Sequence, residues 1–136
     1  MECEIKSFGY NYKIRLFLSV HLKNLRLINF KNYADQSVHF THDFTAVVGP
    51  NGSGKTNLLE ALNYLSLTKS LGSAGDARNI QLGENFFTII GQFESAGQGT
   101  EVRCTVEVKE GLTKKEIRLG GKECRRLADH IGKFPV

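Results

Sequence analysis

The eight residues Gly49-Pro50-Asn51-Gly52-Ser53-Gly54-Lys55-Thr56 constrain this chain more than any other stretch. They satisfy the pattern G-x-x-x-x-G-K-[ST], whose glycines let successive backbone N–H groups turn inward on an anion. Such a loop needs a strand to deliver the chain and a helix to carry it away, because the helix N-terminus adds free N–H groups and a positive dipole end. Both flanks comply. Residues 44–48 (Phe-Thr-Ala-Val-Val) are a short, apolar, β-branched run, which predicts a strand buried on both faces of a parallel sheet. Beyond the loop, Leu58, Leu62 and Leu65 recur at helical spacing with Leu59 widening the stripe, which predicts a helix from about residue 54 to 66. In that frame Lys55 supplies a cation for the β- and γ-phosphates of ATP or GTP, and Thr56 a hydroxyl for Mg²⁺. A glycine turn with an incidental lysine is the plain alternative, and the strand–loop–helix context weighs against it.

The remainder of the chain has a different rhythm. Residues 21–30 alternate, with Leu25 and Leu27 on one face and Arg26 and Ile28 on the other; residues 29–33 turn the chain, and 37–40 return as a paired strand. Residues 67–85 are loop-rich, punctuated by Gly72, Gly75 and Gly83. Strands are then predicted at 86–93, 101–109 and 114–119, joined by glycine-containing turns. Gly120-Gly121 makes a two-residue hairpin into 122–126, and Leu127, Ala128 and Ile131 suggest a short helix. Helices do not alternate with strands: one strand–loop–helix unit is followed by an antiparallel meander.

At 136 residues and 40% hydrophobic content the chain suits one soluble, intracellular domain, and its best apolar stretch, 14–22, is broken by Arg15 and too short to span a bilayer. Cys3, Cys104 and Cys124 form no C-x-x-C pair, so neither a metal site nor a disulfide framework is expected, and Cys104 falls in a strand pattern as a buried thiol. His21, His39, His42 and His130 lack ligand spacing. The net charge of +4 arises entirely in residues 109–136, where eight Lys/Arg face four Asp/Glu. Such a cluster can meet nucleic-acid phosphates, or simply be a solvated strand face, which is the preferred reading here.

The segments Asn29-Phe30-Lys31-Asn32-Tyr33 and Gly49-Pro50-Asn51-Gly52-Ser53-Gly54-Lys55-Thr56-Asn57-Leu58-Leu59-Glu60-Ala61 resemble the RecF family of bacterial DNA replication and repair ATPases, within the ABC-type ATPases of the SMC group. The likeness extends through Tyr64 to Ser70 and on to Val136, and covers about residues 21–136. It implies an α/β fold, the amino-terminal portion of a P-loop ABC-type ATPase head with an antiparallel β meander beside the nucleotide-binding strand–loop–helix. It also implies that Gly49 to Thr56 bind ATP and Mg²⁺, that Lys31 and Asn32 stand where relatives place phosphate-contacting residues, and that Tyr33 is a core aromatic or packs near the nucleotide. The partners it implies are gapped or junction DNA, RecO, RecR and RecA, with ATP-dependent homodimerisation of the complete protein. The setting it implies is the cytoplasm and nucleoid, in DNA damage repair and the SOS response.

Two family motifs are missing. No apolar run ends in Asp-Glu to serve as a Walker B strand, and no Leu-Ser-x-Gly-like signature segment is present. The chain therefore resembles only the amino-terminal part of a head, with no catalytic residue assigned and turnover not expected. A small P-loop kinase would follow its loop helix with another parallel strand, and a transporter ATPase subunit would read Gly-Lys-Ser-Thr-Leu at the loop. Residues 1–20 are expected to be an amino-terminal extension outside the head, with residues 1–19 absent from the working protein and Val20, standing where relatives begin with Met, as the translation start. A genuine extension adding an edge strand from residues 13–19 is the competing expectation.

Overall fold

Residues 25–28 and 102–106 alternate between the interior and water, and that alternation builds a sheet with one covered face. The computed structural model describes residues 2–7, 10–15, 20–41, 45–68 and 75–124. They form β1 (Glu2–Ser7), β2 (Tyr10–Arg15), β3 (His21–Phe30), β4 (Tyr33–His39), α1 (Lys55–Leu67), a 3₁₀ turn (Asp76–Asn79), β5 (Phe86–Ser95), β6 (Gln98–Lys109), β7 (Leu112–Leu119) and β8 (Lys122–Glu123). Among the described residues β1 and β2 pair only with each other, so residues 13–15 add no edge to the larger sheet. The other six strands lie in the order β4-β3-β5-β6-β7-β8, every neighbour antiparallel. The phosphate loop and α1 thus lie within the connection from edge strand β4 to β5, on the far side of β3.

Tight turns set the meander. Ala96-Gly97, Glu110-Gly111 and Gly120-Gly121 each link paired strands with two residues at positive φ, the mirror-image turn geometry that matches strand twist. The predicted strand at 122–126 is observed only as β8. Its continuation and the short helix around Ile131 lie outside the described residues.

The covered face carries Leu25, Leu27, Phe87, Ile89, Phe93, Val102, Cys104, Val106 and Ile117, and α1 lays Leu58, Ala61, Tyr64 and Leu65 onto it. Phe87 stands edge-on to both Phe30 and Tyr64, at ring-centroid distances of 5.2 and 5.5 Å. Gly91 lets the helix sit flush, since a Cβ there would collide with Leu65 Cδ2. The helix stripe is rotated from the expected one: Leu59 is 56% exposed, while Ala61 and Tyr64 take the interior positions. A small residue at 61 allows close approach to the sheet, and the large leucine one position away from Leu58 is turned out.

The strand expected at 44–48 is not observed over its described residues. Residues 45–48 are irregular, and Val48 is 86% exposed. A strand of that composition holds its shape through ladder bonds on both sides, and among the described residues no strand pairs with it.

Candidate phosphate-binding site

The loop closes on itself before the helix begins. Ser53 N–H donates to the Pro50 carbonyl at 3.3 Å, and Lys55 Nζ donates to the Gly49 and Pro50 carbonyls at 2.7 Å each. Gly54 caps α1 in a left-handed conformation, φ 95° and ψ 6°, without any side-chain capping bond. Only glycine serves there: a Cβ would fall 2.6 Å from Asn32 Nδ2 and 2.8 Å from the Tyr33 hydroxyl, in a backbone region that side chains disfavour. The first turn of α1 has no acidic residue either, so the positive helix end is left uncompensated by its own side chains. It opens on a cavity of about 230 Å³ lined by Asn51, Gly52, Gly54, Lys55, Thr56 and Asn57. The lining residues carry backbone N–H groups, one ammonium and one hydroxyl, a donor-rich set suited to a polyphosphate.

The turn between β3 and β4 braces this loop with three successive side chains. Tyr33 donates its hydroxyl to the Gly54 carbonyl at 3.0 Å, and Asn32 Oδ1 accepts from Asn57 Nδ2 at 2.7 Å. Lys31 Nζ is paired with the Glu60 carboxylate on α1. Of the residues anticipated from sequence, Asn51, Gly52, Gly54, Lys55 and Thr56 line one cavity, while Gly49, Pro50 and Ser53 belong to the same loop outside that lining. Lys31 and Asn32 stand behind it, contacting α1 rather than lining the cavity. Tyr33 packs against the core, and its hydroxyl reaches the loop at the Gly54 carbonyl.

Sequence reasoning missed Asn57, which lines the cavity and meets Asn32, and Glu60, the partner of Lys31. It also missed Lys115, whose signal was parity: it shares the inward side of β7 with Ile117 and Leu119, where an ammonium is out of place. The other described cations of the basic segment, Lys109, Lys114, Arg118 and Lys122, are exposed, and Arg118 is paired with Glu116, as a solvated strand face requires. Among the described residues no cluster of His, Cys, Asp and Glu could hold a metal ion, and no helix is long and apolar enough to cross a membrane.

The family model described as the RecF/RecN/SMC N terminal domain matches residues 21–124. The chain belongs to that family. Among curated members it is 38% identical over 116 residues to the DNA replication and repair protein RecF of Phocaeicola vulgatus, covering 85% of this chain and 30% of the relative. The RecF of Cytophaga hutchinsonii is 33% identical over 117 residues, covering 86% and 30%. The chain thus spans about 30% of the length of the RecF proteins it matches. A solved structure of the recombination mediator protein RecF with ATP, in the RecFOR pathway, superposes with a TM-score of 0.78 at 26% identity, covering 87% of this chain and 32% of that one. The SMC head domain from Thermotoga maritima superposes at 0.58 with 31% identity, covering 79% and 40%. The amino-terminal portion of an ABC-type ATPase head of the RecF/SMC family is therefore the fold of this chain, and the family match favours it over the kinase and transporter alternatives.

Proposed function

We propose that this chain binds the phosphates of ATP as the amino-terminal portion of a RecF-like DNA replication and recombinational repair protein. One observation carries the proposal: an α-helix N-terminus with no side-chain cap opens on a cavity lined by Lys55, Thr56 and loop backbone. Bound ATP would place its phosphates among the N–H groups of Asn51 to Thr56, with Lys55 released from the Gly49 and Pro50 carbonyls to meet the β- and γ-phosphates. Thr56 would offer its hydroxyl to Mg²⁺, while Asn32 and Lys31, engaged with Asn57 and Glu60 on α1, would brace the loop from behind the cavity. The residues lining the cavity select phosphate rather than base. The preference for ATP draws support from the likeness to RecF solved with ATP.

On the same reading the complete protein binds gapped or junction DNA, acts with RecO, RecR and RecA in DNA damage repair and the SOS response, and dimerises around ATP. Its place is then the cytoplasm, at the nucleoid. Residues 1–20 lie before the family match and are read as outside the head.

The test is a fluorescent-ATP titration of the parent chain against Lys55→Ala. Loss of the side-chain cation is expected to weaken binding more than about tenfold. Equal affinities would remove the assignment.

A further inference from the structure

Helix α1 has no basic residue in its last turn, yet its C-terminal end is not bare. Lys115, from the inward face of β7, donates to the Thr68 carbonyl at 2.6 Å and meets Asp76 Oδ2 at 2.5 Å. Its ammonium also lies 5.0 Å from the centroid of the Tyr64 ring. Thr68 is fully buried and caps the helix in the left-handed region, φ 54°, with its N–H bonded to the Tyr64 carbonyl at 2.7 Å. One cation from a distant strand thus neutralises the negative helix end, holds its last carbonyl and fastens the 3₁₀ turn to it. That turn continues the path: Asn79 accepts from the Lys31 N–H at 2.7 Å, and Lys31 is the residue paired with Glu60 beside the phosphate loop.

We infer that Lys115 is a positioning residue for the phosphate site. The inference rests on the nucleotide-binding reading above. A helix of this length is a rod of about 20 Å. Its tail is held by Lys115 and its head by Tyr33 and Asn32, so the rod is fixed along its axis against the sheet. Lys55 and Thr56 move with it. Freeing the tail lets the helix slide and pivot, and the phosphate donors at the head lose their alignment. The orientation of Tyr64, Thr68 and Asp76 around one ammonium serves that purpose better than packing requires: an apolar residue at 115 would continue the inward row of Ile117 and Leu119.

The experiment uses the full 136-residue chain. Lys115→Met keeps the stem and removes the ammonium, and Lys115→Arg restores a cation. Lys115→Met is expected to weaken fluorescent-ATP binding by roughly three- to tenfold, and Lys115→Arg to return it to within about twofold of the parent. Amide hydrogen exchange at Leu58, whose N–H bonds the Gly54 carbonyl at 2.9 Å, is expected to quicken in Lys115→Met while β5–β6 amides keep their protection. A folded Lys115→Met with parental affinity overturns the inference, as does a weakened one that arginine fails to rescue. If Lys115→Met does not fold, Asp76→Asn decides: affinity and Leu58 exchange at the parental level overturn the inference, and a loss of both supports it. A parent that binds no ATP refutes the nucleotide reading, and the exchange at Leu58 still tests whether the tail positions the head.

Discussion

Tyr33 donates its phenolic hydroxyl to the Gly54 carbonyl at 3.0 Å, the same oxygen that accepts the Leu58 N–H at 2.9 Å. One carbonyl thereby joins the β3–β4 turn, the end of the phosphate loop and the first turn of α1. The aromatic ring packs against the core, so the hydroxyl arrives already oriented. The loop is held from outside the cavity by a group that leaves the N–H donors free for an anion.

Tyr33→Phe should therefore separate binding from folding. The ring and its packing stay, and one partly buried hydrogen bond is lost, at a cost of about 1 kcal/mol in a urea melt. ATP affinity should fall roughly three- to fivefold, about the same free energy, because the bond orients the loop. Calorimetric titration giving the parental affinity would show that the bond serves stability alone.

Gly91→Ala should destabilise the chain without touching the phosphate site directly. The added methyl meets Leu65 Cδ2 and the Phe93 ring, and the helix must lift from the sheet to admit it. Overpacking of this kind costs about 1–3 kcal/mol. Leu65→Ala in the same background should recover part of that loss, and a double variant no better than the sum of the singles would argue against the contact.

Cys104 gives the chain an alkaline weakness. Burial pushes its thiol from 9.0 up to about 12, against a smaller opposing pull from the Lys115 ammonium. The folded state holds the proton more tightly than the unfolded one. Its contribution to stability is thus complete below pH 9.0 and lost as pH rises toward about 12. Urea melts at pH 8 and pH 10.5 should show a smaller drop for Cys104→Val than for the parent. At pH 8 the native thiol should resist alkylation until the protein is unfolded, and rapid labelling of the folded chain would contradict its burial.

Nucleotide binding should not lead to turnover in this 136-residue chain. Hydrolysis needs an acidic Mg²⁺ ligand and a positioned water, and its sequence has neither an apolar run ending in Asp-Glu nor a signature segment. Phosphate release should match a Lys55→Ala control. Mg²⁺-dependent release above that control would place catalytic groups where none has been assigned.

What the sequence by itself determined were the features that live within a few residues of one another. The phosphate loop, the helix after it, the strand His21–Phe30 and the Gly120-Gly121 hairpin follow from glycine spacing, periodicity and turn chemistry, and the structure has all four. The family was legible for the same reason, since its motifs are contiguous. The tertiary structure alone decided which faces meet. Periodicity marked an apolar side on α1 but could not say that Ala61 would enter and Leu59 leave, because that depends on Gly91 opening the sheet beneath Leu65. It marked 44–48 as a buried strand, but burial requires neighbours, and residues 45–48 have no strand beside them among the described residues. The contacts of Tyr33 with Gly54 and of Lys115 with Thr68 span 21 and 47 residues. Those distances close only because the helix connection returns the chain to β5 beside β3, bringing the turn to one end of the helix and β7 to the other.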